Sequence, residues 1–469
     1  MLRKKGNKLW IITGIIALLL AGCSSEAEVS DVEAVKEILC EIYDEAAEAN
    51  DVGSLDTIQR MVARLGEHGY VAVDSANQVD MTRAEQAVDF CDAVDQKEDA
   101  KMTIIEVTEM GFRKFDLQTE GGNVDIVRAY YQYDENGHLQ ERSTVNYPAD
   151  FWQFTEEGYL IFEGKYFSDL DYALTLSDTP EHTALRVLPL DEMCRELNRK
   201  YVSLIGYREN NMFLCDWSQE DYGELDFYDI FDCFYPMFYG EPTPYTADED
   251  LSVEAVFQVP GNIFEDVIQS YFNVDLETLR RKTKYISEKK AYEYRPRGFQ
   301  EVEYPDIPYP EVVDYTENRD GTITLVINAV YPHGNMSKAF SHTTVVRPLT
   351  EGGFQYVSNE MNLQDKDYNF WWHSNRLTEE ERLGNDNAEM SGEERIGNDN
   401  AEMGGEDGEV ESDLWILPQA ENSLFTEAEK GELNSMALTA AEQVKEIYQQ
   451  VEITGETAHG ILHRVIVGP

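Results

Sequence analysis

Between residues 94 and 103 the apolar residues of this chain change their spacing, and that change limits the class of fold it can adopt. Before it, they recur every three or four positions. Val32, Val35, Ile38, Leu39, Ile42, Tyr43 and Ala46 share one side of a helix. Leu55, Ile58, Met61, Val62 and Leu65 share one side of a second, with Ser54 placed to cap it and Gly66 to stop it. Residues 69–73 read as a short strand, and Thr82-Arg83-Ala84-Glu85 as a capping box that opens a third helix to about Val94. After the change, apolar residues alternate. Residues 103–108, 112–117, 124–133, 138–145 and 159–167 read as strands. Turns such as Glu120-Gly121-Gly122, Asp134-Glu135-Asn136-Gly137 and Glu156-Glu157-Gly158 separate them, which predicts an antiparallel meander. A helix over about 190–205 and a short strand at 212–215 complete the lobe. Helices first and hairpins after predict an α+β fold, a twisted sheet with helices on one face.

The same order recurs from about residue 216. Residues 225–239 are dense in aromatics, and an acidic, proline-rich loop over 241–250 follows. Pro260-Gly261-Asn262 opens a helix carrying Ile263, Val267 and Tyr271, and Leu276 and Leu279 belong to another. Strands are predicted at 292–294, 312–315, 322–330, 341–347 and 354–357. The chain therefore divides into an N-terminal lobe over 31–215 and a second lobe over 216–376. Residues 377–414 break this pattern. Gly384-Asn385-Asp386-Asn387-Ala388-Glu389-Met390 recurs 13 positions later as Gly397 to Met403. The stretch 378–413 holds 14 acids against Arg382 and Arg395, too little apolar surface to bury a face, so a disordered linker is expected. Residues 415–469 then form a helical segment. Its Glu442-Gln443-Val444-Lys445-Glu446-Ile447 echoes Glu33-Ala34-Val35-Lys36-Glu37-Ile38, which fits either coincidence between amphipathic helices or a truncated repeat.

The first 30 residues have their own logic. Arg3, Lys4, Lys5 and Lys8 precede an apolar run over 9–20 of 12 residues. A membrane-crossing helix needs about 20, whereas 12 suits the central region of an export signal. The run closes on Leu20-Ala21-Gly22-Cys23, which resembles a bacterial lipobox. That resemblance implies cleavage between Gly22 and Cys23, acylation of Cys23 with palmitate-type chains, and a tether over 23–30. Several acyl chains hold a protein on a bilayer at about 0.8 kcal/mol per buried CH₂. The expected location is the extracytoplasmic face of the cell membrane.

Charge excludes some partners. The chain holds 38 Lys+Arg against 91 Asp+Glu, and removing the four basic residues ahead of Cys23 takes the net charge from −53 to −57. Phosphate recognition depends on cationic side chains, so no nucleic-acid partner is expected. Five cysteines remain after Cys23, with no CxxC among them. They read as buried thiols, with a Cys194–Cys215 bridge left open.

No motif assigns catalysis, a cofactor or a metal. Ser287-Glu288-Lys289-Lys290 matches an SxxK pattern without its partner motifs, in a charged turn. His459 and His463 stand at i, i+4, but a metal needs a further ligand. Acidic clusters at 248–250 and 406–409 lack the alternation of a calcium loop. The aromatics of 227–239, with Trp217 and Trp371-Trp372-His373, read as core, with a sugar-stacking surface as the sharper alternative.

Several stretches together resemble uncharacterised lipoproteins of Gram-positive, clostridia-like bacteria. They are the lipobox, residues 264–275, Tyr294-Arg295-Pro296-Arg297-Gly298, residues 320–325, Arg347-Pro348-Leu349 and residues 352–359. The resemblance implies a family of unknown function and transfers no site residue beyond Cys23. The expectation is a non-enzymatic module that recognises a cell-envelope or extracellular ligand. The alternatives are a carboxylate-based envelope hydrolase acting on glycan, or an accessory subunit of a membrane complex.

Overall fold

The computed structural model describes residues 24–376, apart from 135–136, 169–170, 173–175, 247–255, 298–305, 351 and 363–375. Cys23, the duplicated stretch and the C-terminal segment lie outside the described residues. The fold is α+β. Contacts divide it into two compact units. The first holds the described residues up to Tyr166 with Pro180–Glu196 and Val330–Ala339, and the second holds Phe167–Thr179, Leu197–Ala329 and the described residues from Phe340.

The first unit opens with α1 (Ser24–Ala49), α2 (Leu55–Glu67), β1 (Val71–Asp74) and α3 (Ala84–Gln96). Then come β2 (Ala100–Thr108), β3 (Gly111–Glu120), β4 (Asn123–Tyr133), β5 (Leu139–Phe154), β6 (Tyr159–Tyr166) and β7 (Thr179–Arg186). The sheet follows chain order from β1 to β7. β1 pairs parallel with β2, and the steps from β2 to β6 are antiparallel, as the glycine turns require. Ser54 caps α2 by accepting the Thr57 amide.

Two local expectations change. Thr82 does not cap α3: its hydroxyl accepts the Ala72 amide and donates to the Tyr70 carbonyl, each at 3.0 Å. Arg83 takes the cap position in left-handed backbone, with no side-chain cap bond. The edge strand β1 has claimed the hydroxyl. Gly66 does not end α2 either, which runs to Glu67. A Cβ there would lie 2.6 Å from Thr82 Cγ2, so it is the close approach that excludes a side chain.

Helices cover both faces of this sheet, not one. Val35, Leu39, Ile42, Ile58, Met61, Val62 and Leu65 of α1 and α2 pack with Ala72, Ile105, Val107 and Phe112. Ala87, Phe90, Cys91 and Val94 of α3 pack on the opposite face, with Val71, Val73, Ile104, Phe115 and Leu117. Successive strand residues point to opposite faces, and both sets are apolar here, so each face needs a cover.

After α4 (Glu192–Tyr201), the second unit holds β8 (Trp217–Ser218), α5 (Phe227–Tyr239), β9 (Phe257–Pro260), α6 (Gly261–Tyr271) and α7 (Leu276–Arg281). The chain continues through β10 (Tyr285–Ile286), β11 (Ala291–Tyr294), β12 (Tyr309–Glu317), β13 (Ile323–Tyr331), β14 (Met336–Pro348) and β15 (Phe354–Met361), the end of β13 and the start of β14 belonging to the first unit. One sheet runs β10-β11-β9, another β12-β13-β14-β15-β8. The strand expected at 212–215 is a turn. Asn210 Oδ1 accepts the Met212 amide, and Asn211 bonds the Glu224 carbonyl and the Asp226 amide, so side chains divert the backbone from a ladder. No disulfide joins the described cysteines, and Cys194 and Cys215 are both thiols.

Candidate functional site

The aromatic helix α5 combines a buried carboxylate cluster with an exposed aromatic end. Asp226 caps it, its Oδ1 accepting the amides of Tyr228 and Asp229. Phe227, Ile230, Phe231 and Phe234 fall at helical spacing and are fully buried. Phe231 stacks on Phe264 with centroids 4.8 Å apart, and Phe234 on Tyr271 at 4.2 Å. The greater part of the block is therefore core, as its phenylalanine content implies. The last turn differs. Met237, Phe238 and Tyr239 are 36%, 41% and 40% exposed, although three consecutive apolar residues on a free helix end expose more hydrocarbon than folding needs. Their rings are ordered against one another: Phe238 meets Tyr239 edge-on at 4.8 Å, and Tyr239 lies 4.6 Å from Tyr235. Burial and the carboxylate of Asp266 push the Tyr239 hydroxyl up, and burial and Glu241 do the same to Tyr235. Gly240 closes the helix in left-handed backbone, its amide on the Pro236 carbonyl.

Two ionic clusters bring carboxylates and arginines together. On α5, Asp229 is 1% exposed and held by both nitrogens of the Arg297 fork, Nε at 3.1 Å and Nη2 at 2.8 Å. Arg376 adds an ion pair to Asp229 at 3.3 Å and donates to Asp232 at 2.5 Å, and the Tyr294 hydroxyl also donates to Asp232. Burial pushes the Asp229 carboxyl up and the Asp226 charge adds to this, while both arginines oppose it. These carboxylates are consumed by arginine, which suits holding the fold rather than attacking a substrate.

In the first unit, Arg128 grips Glu181 through Nε at 3.0 Å and Nη2 at 2.8 Å, and its Nη1 donates to Ser143 at 2.6 Å. Glu106 pairs across the strands with Arg113, 3.0 Å away. Burial pushes the Glu106 carboxyl up, Arg113 pulls it down, and Asp74 and Glu181 push it up further. Glu106 thus combines burial, an arginine partner and neighbouring carboxylates, a setting in which a carboxyl can hold a proton.

The other sequence candidates disperse. Ser287 to Lys290 form an exposed turn between β10 and β11, with the Lys290 amide on the Ser287 carbonyl, so the SxxK match has no catalytic setting. Gly22, Cys23, His459, His463, Trp371, Trp372, His373 and the clusters at 248–250 and 406–409 lie outside the described residues. Among the described residues no three His, Cys, Asp or Glu side chains group to hold a metal, and no helix is long and apolar enough to cross a membrane. Sequence periodicity missed the exposed end of α5. The signal was present, since 237–239 are three apolar residues in a row, and a single helical face cannot bury all three.

A family model described as a family of unknown function (DUF6070) matches residues 25–376. No curated protein and no solved structure matches the chain.

Proposed function

The chain belongs to this family of unknown function, and on that footing we propose a membrane-anchored extracytoplasmic lipoprotein of Gram-positive type, whose folded part is a non-enzymatic binding module. The observation that carries the reading is the resemblance of Leu20-Ala21-Gly22-Cys23, behind its basic and apolar leader, to a lipobox. The match begins at residue 25, two positions beyond Cys23, which is compatible with a leader of four basic residues and a 12-residue apolar run that closes on Leu20-Ala21-Gly22-Cys23. The binding part of the reading draws on α5, whose carboxylates are tied to arginine while its aromatic end stays open. Metabolic labelling with palmitate tests the anchor. The expected result is label on the wild-type protein and none on Cys23→Ala, which leaves the membrane fraction. Equal membrane retention of both forms would overturn it.

A carboxylate-based hydrolase is favoured by one observation, the buried Glu106 whose carboxyl is pushed up beside Glu181. It requires turnover of a glycan that Glu106→Gln abolishes and Ser287→Ala leaves intact.

A further inference from the structure

We propose that the exposed end of α5 is a stacking site for a neutral oligosaccharide, in which Phe238 and Tyr239, their rings at 83° to each other, each offer a face to a different pyranose unit. This rests on the binding-module reading and names its ligand class. Three observations point to sugar rather than to another occupant.

The first is ring chemistry. The patch is largely aromatic: Phe238 and Tyr239 stand open, 4.8 Å apart, and Tyr239 is held from beneath by the buried Tyr235 at 4.6 Å, so it offers π faces and edges set by each other. Sugar rings present a face of C–H groups that such surfaces accept, with hydroxyls directed outward. The second is the rim. The Glu241 and Asp266 carboxylates and the Tyr239 hydroxyl stand beside the rings and are suited to bond sugar hydroxyls, Glu241 and Asp266 as acceptors and Tyr239 as donor or acceptor. The third is charge. The segments 227–246 and 261–271 contain no Lys or Arg; Asp229, Asp232 and Glu265 are paired with Arg297, Arg376 and Arg280, so the charge at the open end of α5 comes from Glu241 and Asp266. An anionic polymer or an anionic lipid surface is repelled there, because both are recognised through cationic side chains. A neutral glycan meets no such barrier.

The test uses the full-length chain in detergent, titrated calorimetrically with cellohexaose and with chitohexaose. Polygalacturonate and vesicles of phosphatidylglycerol serve as anionic arms. The expected result is binding of at least one neutral hexasaccharide, weakened at least tenfold by Phe238→Ala and by Tyr239→Ala. Phe167→Ala, which removes another exposed aromatic at 62% exposure, leaves it unchanged. Circular dichroism confirms that each variant is folded. No binding of either hexasaccharide, binding indifferent to Phe238 and Tyr239, preference for the anionic arms, or a wild-type dimer that Phe238→Ala dissociates each overturns the proposal. Cys23→Ala separates the two claims: it removes the anchor and is expected to leave the sugar titration untouched.

Discussion

His342 shows how much a single residue's behaviour depends on what surrounds it. It is 2% exposed among Tyr207, Phe213 and Phe340. Asn359 Nδ2 donates to the Cys215 carbonyl, which turns Asn359 Oδ1 toward the imidazole, 2.7 Å from Nδ1. The proton therefore sits on Nδ1, and Nε2 accepts from the Tyr207 hydroxyl at 3.1 Å. Burial pushes the imidazole down to about 4, with the Asn359 bond opposing. The unfolded chain takes up this proton near pH 6.5 and the folded one only near pH 4, so between them the unfolded state binds more protons. Stability from this group is full above about pH 6.5 and is lost as pH falls toward 4, by at most roughly 3 kcal/mol. Asp226, Asp229 and Glu106, raised by burial, work in the opposite direction. Urea titrations at pH 7 and 4.5 should therefore show a smaller drop for His342→Gln than for wild type. Gly164 is a second local case. A Cβ there would lie 2.4 Å from the Pro148 carbonyl oxygen and 2.3 Å from the Tyr147 ring. Gly164→Ala is expected to cost about 1–3 kcal/mol, read from the denaturation midpoint. Neither environment is written in the residue's own neighbours along the chain: His342 needs Tyr207 and Asn359, and Gly164 needs a strand ten or more residues away.

At the scale of elements, alternation and glycine turns made β2 to β6 legible because hairpin pairing is local. The strand β7 was not anticipated, and neither was the turn at 212–215, where asparagine side chains compete with a ladder. The capping box at Thr82 fitted the sequence pattern but lost to β1, which recruits the hydroxyl. Thr82→Val should therefore lower stability by about 1–3 kcal/mol, because it leaves the Ala72 amide without its partner. A plain cap loss would be smaller. The helix α5 was legible as an aromatic helix, but its tie to Arg297 and Arg376 was not, since 68 residues separate Arg297 from Asp229 and 144 separate Arg376 from Asp232. Asp229→Ala removes the carboxylate gripped by the Arg297 fork and one of the two partners of Arg376, and should cost about 3–5 kcal/mol in the same denaturation assay, more than Asp266→Ala on the surface of α6.

For the whole molecule, charge is the property that sequence states most directly. A chain with 91 acids and 38 bases repels itself when folded, and salt screens this over about 10 Å at 0.1 M. The thermal midpoint should rise between 10 and 200 mM sodium chloride, and a flat response would contradict it. The sequence by itself determined the α+β class, most of the local strand and helix order and the acidic charge, because each follows from composition or from spacing within a few residues. The tertiary structure decided which aromatics are core and which stand open, which carboxylates are neutralised, and that both faces of the first sheet are covered. Those outcomes depend on contacts between residues far apart in the chain, where burial and a distant arginine outweigh anything local pattern encodes.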